Sequence, residues 1–265
     1  MQLPDKTPVI ALANQKGGVG KTTTAINLAA SLTVLKRNIL LIDMDPQANA
    51  TSGLGIEKME HQSIYDVLLG DGAIEDKILD TSYQRLDLIP AEVDLAGVEV
   101  EIARSENYLH RFKDAIAPLR KGKRYHYILL DCPPSLGILT MNALAAADAV
   151  TIPMQCEYYA MEGLSVITGV IERLKHGGAN QNLELEGIVM TMYDSRTNLS
   201  RQVVNEVRSH FGNTVYRTVI PRSIRLSEAP SYGKPIIDYD ARSSGALAYK
   251  ALAAEFDKRQ TRNRK

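Results

Sequence analysis

The segment NQKGGVGKTTT, at residues 14–24, contains the residue types that can hold a phosphate group. Backbone N–H groups in a glycine turn and at the start of a helix form a cradle for anions. Lys21 can neutralise the β- and γ-phosphates of a nucleotide, and the Thr22 hydroxyl is a hard oxygen ligand of the kind that Mg²⁺ prefers. We therefore predict a nucleotide-phosphate site formed by Gly17, Gly18, Val19, Gly20, Lys21, Thr22 and Thr23.

This segment departs from the pattern G-x-x-x-x-G-K-[ST] at its first position. Gln15 stands where the pattern has glycine, and a second lysine, Lys16, follows it. Because Lys21 is sufficient to hold the phosphates of one nucleotide, the role of Lys16 needs a separate explanation.

Three aspartates follow apolar runs and complete the candidate chemistry. Asp43 and Asp45 end the run NILLIDMD, and Asp131 ends YHYILLD. In a parallel sheet, the carboxyl ends of the strands meet at one edge, where ligands bind. We therefore expect these carboxylates to lie beside the glycine turn, although Asp43 or Asp45 could instead cap the turn that follows.

Apolar runs alternate with amphipathic stretches along the chain. The runs predict buried strands at residues 9–14, 38–45, 86–91, 125–134, 149–154, 185–193 and 214–220. Helical spacing predicts helices at residues 22–36, 92–104, 136–147, 158–175, 198–211 and 243–257. The alternation indicates an α/β fold with a doubly wound, mostly parallel sheet flanked by helices on both faces. We predict a single domain over residues 1–265, with a basic tail that frays from about residue 258.

Charge is unevenly distributed along a chain whose net charge is zero. Residues 57–106 contain 4 Lys and Arg against 13 Asp and Glu, whereas residues 196–265 contain 14 against 6. The basic region is either a solvated face or a surface that binds a polyanion.

The two cysteines, Cys132 and Cys156, lack metal-ligand spacing, and we expect both to be buried thiols in a reducing compartment. No signal-peptide pattern or membrane-spanning apolar run is present, so we expect a cytoplasmic protein.

The box KGGVGKTT resembles the deviant Walker A box of the ParA/MinD class of P-loop ATPases. The resemblance implies ATP and Mg²⁺ as cofactors and a catalytic role for Lys21. It also implies that Lys16 contacts the phosphates bound by a second chain, which ties homodimerisation to ATP. The alternative is that Lys16 is a local surface lysine.

Two further segments extend the resemblance. LIDMDPQANATSGLG, at residues 41–55, looks like the switch I segment of that class, and ILLDCPPS, at residues 128–135, looks like Walker B with switch II. The resemblance implies that Asp45 orients the attacking water. It also implies that Thr22, Asp43 and Asp131 hold or organise Mg²⁺.

The later segments 153–164, 191–207 and 219–246 look like chromosomal ParA proteins of the Soj type rather than MinD. By position, Pro221 and Arg222 would contact the adenine. The basic residues that would bind DNA phosphates without reading sequence are Arg196, Arg201, Arg222, Arg225 and Lys250. The predicted end of the last helix near Phe256 leaves no amphipathic membrane helix, and the short stretch before the first strand leaves no room for an operator-reading extension.

The sequence thus predicts a nucleoid-associated ATPase that dimerises with ATP, binds duplex DNA and acts in segregation with a ParB-type partner. Two other classes stay open: a positioning ATPase for a cargo other than DNA, and a metabolic enzyme of the same superfamily, such as a dethiobiotin synthase-like ligase or an iron-sulfur reductase. For the reductase, the two cysteines are poor candidates as cluster ligands.

Overall fold

A computed structural model describes residues 3–103, 107–158 and 160–263. Within these residues, eight strands form one sheet, and all of them except β3 run parallel to their neighbours. The spatial order of the strands is β3-β4-β2-β5-β1-β6-β7-β8. Their bounds are β1 Val9–Leu12, β2 Ile39–Asp43, β3 Leu79–Asp80, β4 Leu86–Ile89, β5 Tyr127–Asp131, β6 Ala149–Gln155, β7 Glu184–Tyr193 and β8 Val215–Pro221.

The central strands are buried on both faces, which explains their continuous apolar sequences. In β2, Leu40 and Ile42 face one core, whereas Ile39 and Leu41 face the other. Helices cover both faces, as the doubly wound prediction requires, and that prediction is confirmed. Their bounds are α1 Lys21–Val34, α2 Asn49–Gly53, α3 Tyr65–Leu69, α4 Val98–Ile102, α5 Arg111–Ala115, α6 Ala117–Lys121, α7 Ile138–Ala146, α8 Ala160–His176, α9 Asn198–Phe211, α10 Ile224–Glu228, α11 Ile236–Tyr239 and α12 Ser244–Asn263.

The structure differs from the sequence-based prediction mainly in short elements. The helix expected over residues 92–104 is a 3₁₀ turn, Val93–Ala96, followed after Gly97 by the five-residue α4. Residue 104, the predicted end of that helix, lies outside the described residues. The antiparallel strand β3 and six helices of four or five residues, α2, α3, α5, α6, α10 and α11, were not predicted. Each is too short for hydrophobic periodicity to reveal it.

The last helix is longer than predicted, since α12 continues to Asn263 instead of ending near Phe256. The Arg259 guanidinium lies 3.9 Å from the centroid of the Tyr216 ring and donates to the Thr214 and Val215 carbonyls. The described residues after 258 are thus helical, and Arg259 among them makes tertiary contacts, whereas fraying of the tail stays a prediction. None of the helices in the described ranges is long and apolar enough to cross a membrane.

The exposed edge of β8 is covered by side chains from the two helices beside it. The Glu255 carboxylate of α12 accepts hydrogen bonds from the Arg217 and Thr218 amides at 2.9 and 3.0 Å. Arg208 of α9 donates to the Arg217 carbonyl at 3.0 Å. The backbone groups that an edge strand leaves unpaired are thereby occupied, which disfavours pairing with another chain.

Gly187 allows the Tyr216 ring to pack against β7. A Cβ atom at residue 187 would overlap the Cε2 atom of that ring, which is fully buried. We expect Gly187→Ala to lower the free energy of unfolding by roughly 1–3 kcal/mol, because the ring must move within a packed core. The measurement is the midpoint of thermal unfolding by circular dichroism.

Gly169→Ala is the matched control, because Gly169 lies in α8 and nothing lies within 4 Å of an added Cβ. This control should raise the stability slightly, since alanine favours helix. Equal unfolding midpoints for the two variants would contradict the role of Gly187.

Candidate nucleotide-binding site

The candidate site forms where three neighbouring parallel strands end. β5 lies between β1 and β2 in the sheet. Leu12, at the end of β1, is in register with Asp131 at the end of β5, and Asp43 of β2 is in register with the same residue. The sheet therefore brings two predicted carboxylates and the start of the glycine turn to one edge.

The glycine turn adopts a backbone that side chains disfavour. Gly18 and Gly20 have φ angles of 72° and 85°, in the left-handed region that glycine enters at little cost. Gly20 stands immediately before α1, and its carbonyl accepts the hydrogen bond from the Thr24 amide at 2.8 Å. The turn and the first N–H groups of α1 thus form the anion cradle that the sequence predicts.

Lys21 lies inside the turn and not on its surface. The residue is only 6% exposed, and its Nζ donates to the Lys16 carbonyl at 3.1 Å. Burial lowers the pKa of Lys21, while Asp131 and Asp45 nearby favour the charged form. A phosphate in the turn would supply the counter-charge that this buried ammonium group needs.

Lys16 is oriented differently, with its side chain 43% exposed at the mouth of the turn. Its Nζ pairs with the Glu157 carboxylate at 2.5 Å, and that side chain is 44% exposed. Its backbone amide donates to Asn14 Oδ1 at 3.1 Å, and Asn14 in turn donates to the Pro153 carbonyl. The backbone of Lys16 is therefore fixed, whereas its ammonium group is held by one exposed ion pair that contributes little.

Asp43 and Asp131 are both fully buried, but their surroundings differ. Asp43 accepts hydrogen bonds from the Thr51 amide and hydroxyl at 2.9 and 2.8 Å. Neither carboxylate oxygen of Asp131 has a hydrogen bond of normal geometry within the described residues. Burial raises the pKa of Asp43 to about 6, and burial and then the Asp43 charge raise the pKa of Asp131 well above its usual value.

These groups fit a divalent cation. The Thr22 hydroxyl and the Lys21 ammonium group already favour the charged form of Asp131, and a cation between the aspartates would do so further. No group of three His, Cys, Asp or Glu side chains that could hold a metal ion occurs in the described ranges. The predicted oxygen ligands Thr22, Asp43 and Asp131 are of the kind that Mg²⁺ prefers, and water and phosphate oxygens would complete its shell.

Asp45 and the cysteines complete the inner part of the site. Asp45 is 5% exposed, and its carboxylate accepts a hydrogen bond from the Gln47 amide at 3.0 Å. Its charge acts on Lys21, which places it near the turn. Cys132 and Cys156 are both buried free thiols, as expected, and burial raises the pKa of Cys156 to about 12.

A cavity of about 300 Å³ opens beside the turn. Pro221 and Arg222, the residues predicted to contact adenine, both line it, and so do Gly20 and Thr23. The cavity therefore connects the predicted base contacts with the predicted phosphate contacts. Other lining residues were not predicted, among them Thr191, Met192, Leu226 and Tyr249.

Thr191 is the most informative of the residues that the sequence analysis missed. Its Oγ1 donates to the Val19 carbonyl at 2.8 Å, and its side chain lies 3.9 Å from where a Cβ of Gly20 would stand. Thr191 thus contacts the glycine turn from β7, which is separated from β1 by β6. Thr191 lies near the carboxyl end of a predicted strand, as Asp43 does. This position is the feature of the sequence that could have identified it as a site residue.

The residues predicted to bind DNA lie around the carboxyl end of β8. Arg196 is 86% exposed in its side chain and pairs with the Asp194 carboxylate at 2.7 Å. The Arg196 guanidinium and, after it, the charge of Arg222 lower the pKa of Asp194 to about 2. Arg201, in the first turn of α9, donates to the Ser195 carbonyl at 3.3 Å, which places it beside Arg196.

Arg225 and Lys250 continue this surface. Arg225 lies on α10, three residues after Arg222, and its Nε is 3.7 Å from the Asp240 carboxylate. Lys250, on α12, donates to the carbonyl of the adjacent Ala241 at 3.3 Å. The structure therefore brings all the predicted DNA contacts to one region, the basic edge, which consists of Arg196, Arg201, Arg222, Arg225 and Lys250.

Comparison with known proteins gives consistent matches over most of the chain. Residues 7–185 match the sequence profile of a family described as an AAA domain. The chromosome partitioning protein ParA of Myxococcus xanthus is 54% identical over 254 residues, which cover 96% of this chain and 89% of that protein. The sporulation initiation inhibitor protein Soj of Bacillus subtilis is 53% identical, over 93% of this chain and 97% of its own length.

A solved structure with the same fold belongs to a protein that is named for a different activity. Cobyrinic acid a,c-diamide synthase from Mycobacterium smegmatis, with bound ADP and magnesium, superposes with a TM-score of 0.80. It is 37% identical, and the match covers 94% of this chain and 93% of the synthase. The P-loop nucleotide-binding fold is therefore shared beyond the partitioning proteins.

We expect Thr191→Val to weaken binding of ADP with Mg²⁺ by roughly tenfold. Valine has the same shape but leaves the buried Val19 carbonyl without its donor, and an unsatisfied buried group costs about 1–3 kcal/mol. Isothermal titration calorimetry would measure the affinity. Thr191→Ser keeps the hydroxyl and is the control; equal affinities in both variants would exclude a role for this hydrogen bond.

Proposed function

Because the chain belongs to the ParA/Soj family of chromosome partitioning ATPases, we propose that it is an ATP-dependent, dimerising DNA-binding switch. ATP binds in the glycine turn and the adjoining cavity, and Mg²⁺ is held by Thr22, Asp43 and Asp131. Held by these residues, Mg²⁺ would supply positive charge to the phosphate oxygens. Lys21 holds the β- and γ-phosphates, and Asp45 orients the attacking water.

The observation that carries this proposal is that Arg222 belongs to two surfaces. It lines the cavity beside the glycine turn and also forms part of the basic edge. Arg225 follows on the same short helix, α10. A change in nucleotide occupancy can therefore reach the DNA-contacting residues through one short segment, which is the property that a nucleotide-gated switch needs.

The position of Lys16 supports dimerisation. Its ammonium group pairs with the exposed Glu157 carboxylate, whereas the Lys21 ammonium group lies inside the turn. Two chains that each hold a triphosphate would repel one another across an interface. A Lys16 side chain from each partner would offset that repulsion, so the dimer would form only with ATP bound.

Hydrolysis in this proposal is slow and is stimulated by a ParB-type protein bound at a centromere-like site. The useful output is a change in the population of DNA-bound dimer, which requires a long-lived ATP state. This function places the protein in the cytoplasm, on the nucleoid.

The similar synthase structure makes a metabolic enzyme the second candidate. The partitioning proteins share 54% and 53% of residues with this chain, against 37% for the synthase, over similar coverage. The basic edge also has a direct use in binding DNA phosphates. Both observations favour the partitioning role.

Replacement of Lys16 by alanine tests dimerisation. We expect Lys16→Ala to bind ATP with parental affinity, because Lys21 and the backbone of the turn remain. It should elute as a monomer with a non-hydrolysable ATP analogue, under conditions in which the parental protein is dimeric. Light scattering measures the mass, and an undiminished dimer would assign the lysine to the local surface. Glu157→Gln is the control for loss of the ion pair, and it should still dimerise.

Charge reversal at Arg225 tests DNA binding. We expect Arg225→Glu to weaken binding to every duplex sequence alike, because phosphates supply the affinity. The slope of log affinity against log salt should become shallower by roughly 1 for each phosphate that the protein no longer neutralises. Co-sedimentation with duplex DNA in the presence of ATP, ADP or no nucleotide is the measurement.

Lys113→Glu, an exposed change on α5, is the control and should leave DNA binding at the parental level. If Arg225→Glu and Arg196→Glu both dimerise and retain parental affinity and salt slope, the basic edge is a solvated face. A cargo other than DNA would then be the better proposal.

A further inference from the structure

A second, larger cavity lies at the opposite ends of the strands. Its volume is about 580 Å³, and its walls come from β7, β8, α12 and the turn Gly212–Thr214. Glu186 lines this cavity and stands five residues before Thr191 on β7, so the two cavities are about 16 Å apart along the strand. The charged residues around it are Glu186, Arg217, Glu255, Lys258, Arg259 and Arg262.

Two of these six side chains hold the fold together. Arg259 pairs with Glu255 at 2.9 Å and donates to two backbone carbonyls. Glu255 binds the backbone amides of β8. Their charges offset one another, so the character of the cavity is set by the remaining four residues.

Three of those four are cations, and they outnumber the one remaining acidic residue, Glu186. No salt bridge joins Arg217, Lys258 or Arg262 to an acidic residue in the part of the chain that the structure describes. Lys258 and Arg262 are four residues apart on α12, where like charges destabilise a helix. Cations are favourable near a helix C-terminus, which accounts for these two. It does not account for Arg217, which reaches the same cavity from β8.

The fourth residue, Glu186, is acidic, which is unusual for a residue that lines a basic cavity. Its Oε2 accepts hydrogen bonds from the Tyr216 hydroxyl and the Thr151 hydroxyl, at 2.5 and 3.0 Å. Its Oε1 is buried without a hydrogen bond of normal geometry among the described residues. Burial raises the pKa of Glu186, while the hydrogen bonds from Tyr216 and Thr151 favour its charged form.

We propose that this cavity is a second phosphate-binding site, separate from the glycine turn, in which Arg217, Lys258 and Arg262 contact a phosphate group. Three cations on one rim repel one another until an anion joins them, and phosphate offers an oxygen to each. Both a free phosphate and a phosphate of the DNA backbone have this chemistry. Binding of a DNA phosphate at this site rests on the function proposed above, whereas binding of a free phosphate does not.

The first experiment uses inorganic phosphate. The protein is labelled with ¹⁵N and saturated with ADP and Mg²⁺, which occupies the glycine turn, and phosphate is titrated at constant ionic strength. We expect saturable shifts of the Thr214 and Arg217 amides. The double variant Lys258→Glu/Arg262→Glu should weaken this binding at least tenfold, whereas Lys113→Glu should not change it.

The second experiment measures the salt dependence of duplex DNA binding with ATP for the same variants. If the source is DNA, the salt slope of the double variant should become shallower by roughly 2, because two side chains no longer neutralise phosphates. Saturable phosphate shifts with an unchanged salt slope would identify a free phosphate ligand. Both variants are checked for a parental unfolding midpoint, so that loss of fold is not read as loss of a site.

The proposal is overturned if charge reversal at residues 258 and 262 changes neither phosphate binding nor the DNA salt slope. Failure of the proposed function has a different outcome, namely that the parental protein does not bind DNA at all. The phosphate titration still decides the second site in that case.

Discussion

The site depends on the burial of two carboxylates side by side at the ends of neighbouring parallel strands. Asp43 and Asp131 are in register on β2 and β5, and neither is exposed. Burial raises the pKa of both carboxyl groups, and the charge of Asp45 raises that of Asp43 further, as the charge of Asp43 does for Asp131. A cation bound at the proposed Mg²⁺ site would reduce this penalty.

Lys21 is buried at the same end of the sheet, where its Nζ donates to the Lys16 carbonyl. Burial lowers the pKa of Lys21, while the charges of Asp131 and Asp45 oppose that shift. The phosphates of the proposed nucleotide would supply a counter-charge to this ammonium group.

The outer edge of the sheet connects this inner site to the surface. β8 ends at the cavity beside the glycine turn, continues through Arg222 into α10, and is backed by α12. Glu255 and Arg208 bind backbone groups of Arg217 and Thr218 in this strand, so part of the edge is covered. Basic residues extend along it from the nucleotide end to the cavity at the opposite end.

The sequence by itself determined the phosphate turn, the order of the main strands and helices, and the strand-end carboxylates. These features are local: two glycines with positive φ angles, continuous apolar runs, and acids that directly follow them. The comparisons confirm the family and the fold class that these patterns indicated. The individual residue roles stay predictions, although the structure places the corresponding residues together.

Only the tertiary structure decided which distant residues complete the site. Thr191 closes the glycine turn from a position 172 residues beyond Val19, and Glu157 pairs with Lys16 across a comparable separation. Near the end of α12, the Arg259 guanidinium likewise packs over the ring of a distant residue, Tyr216. Short elements such as β3 and α10 are stabilised by packing and not by their own periodicity. Contacts of this kind depend on strand order and register, which no local pattern in the sequence encodes.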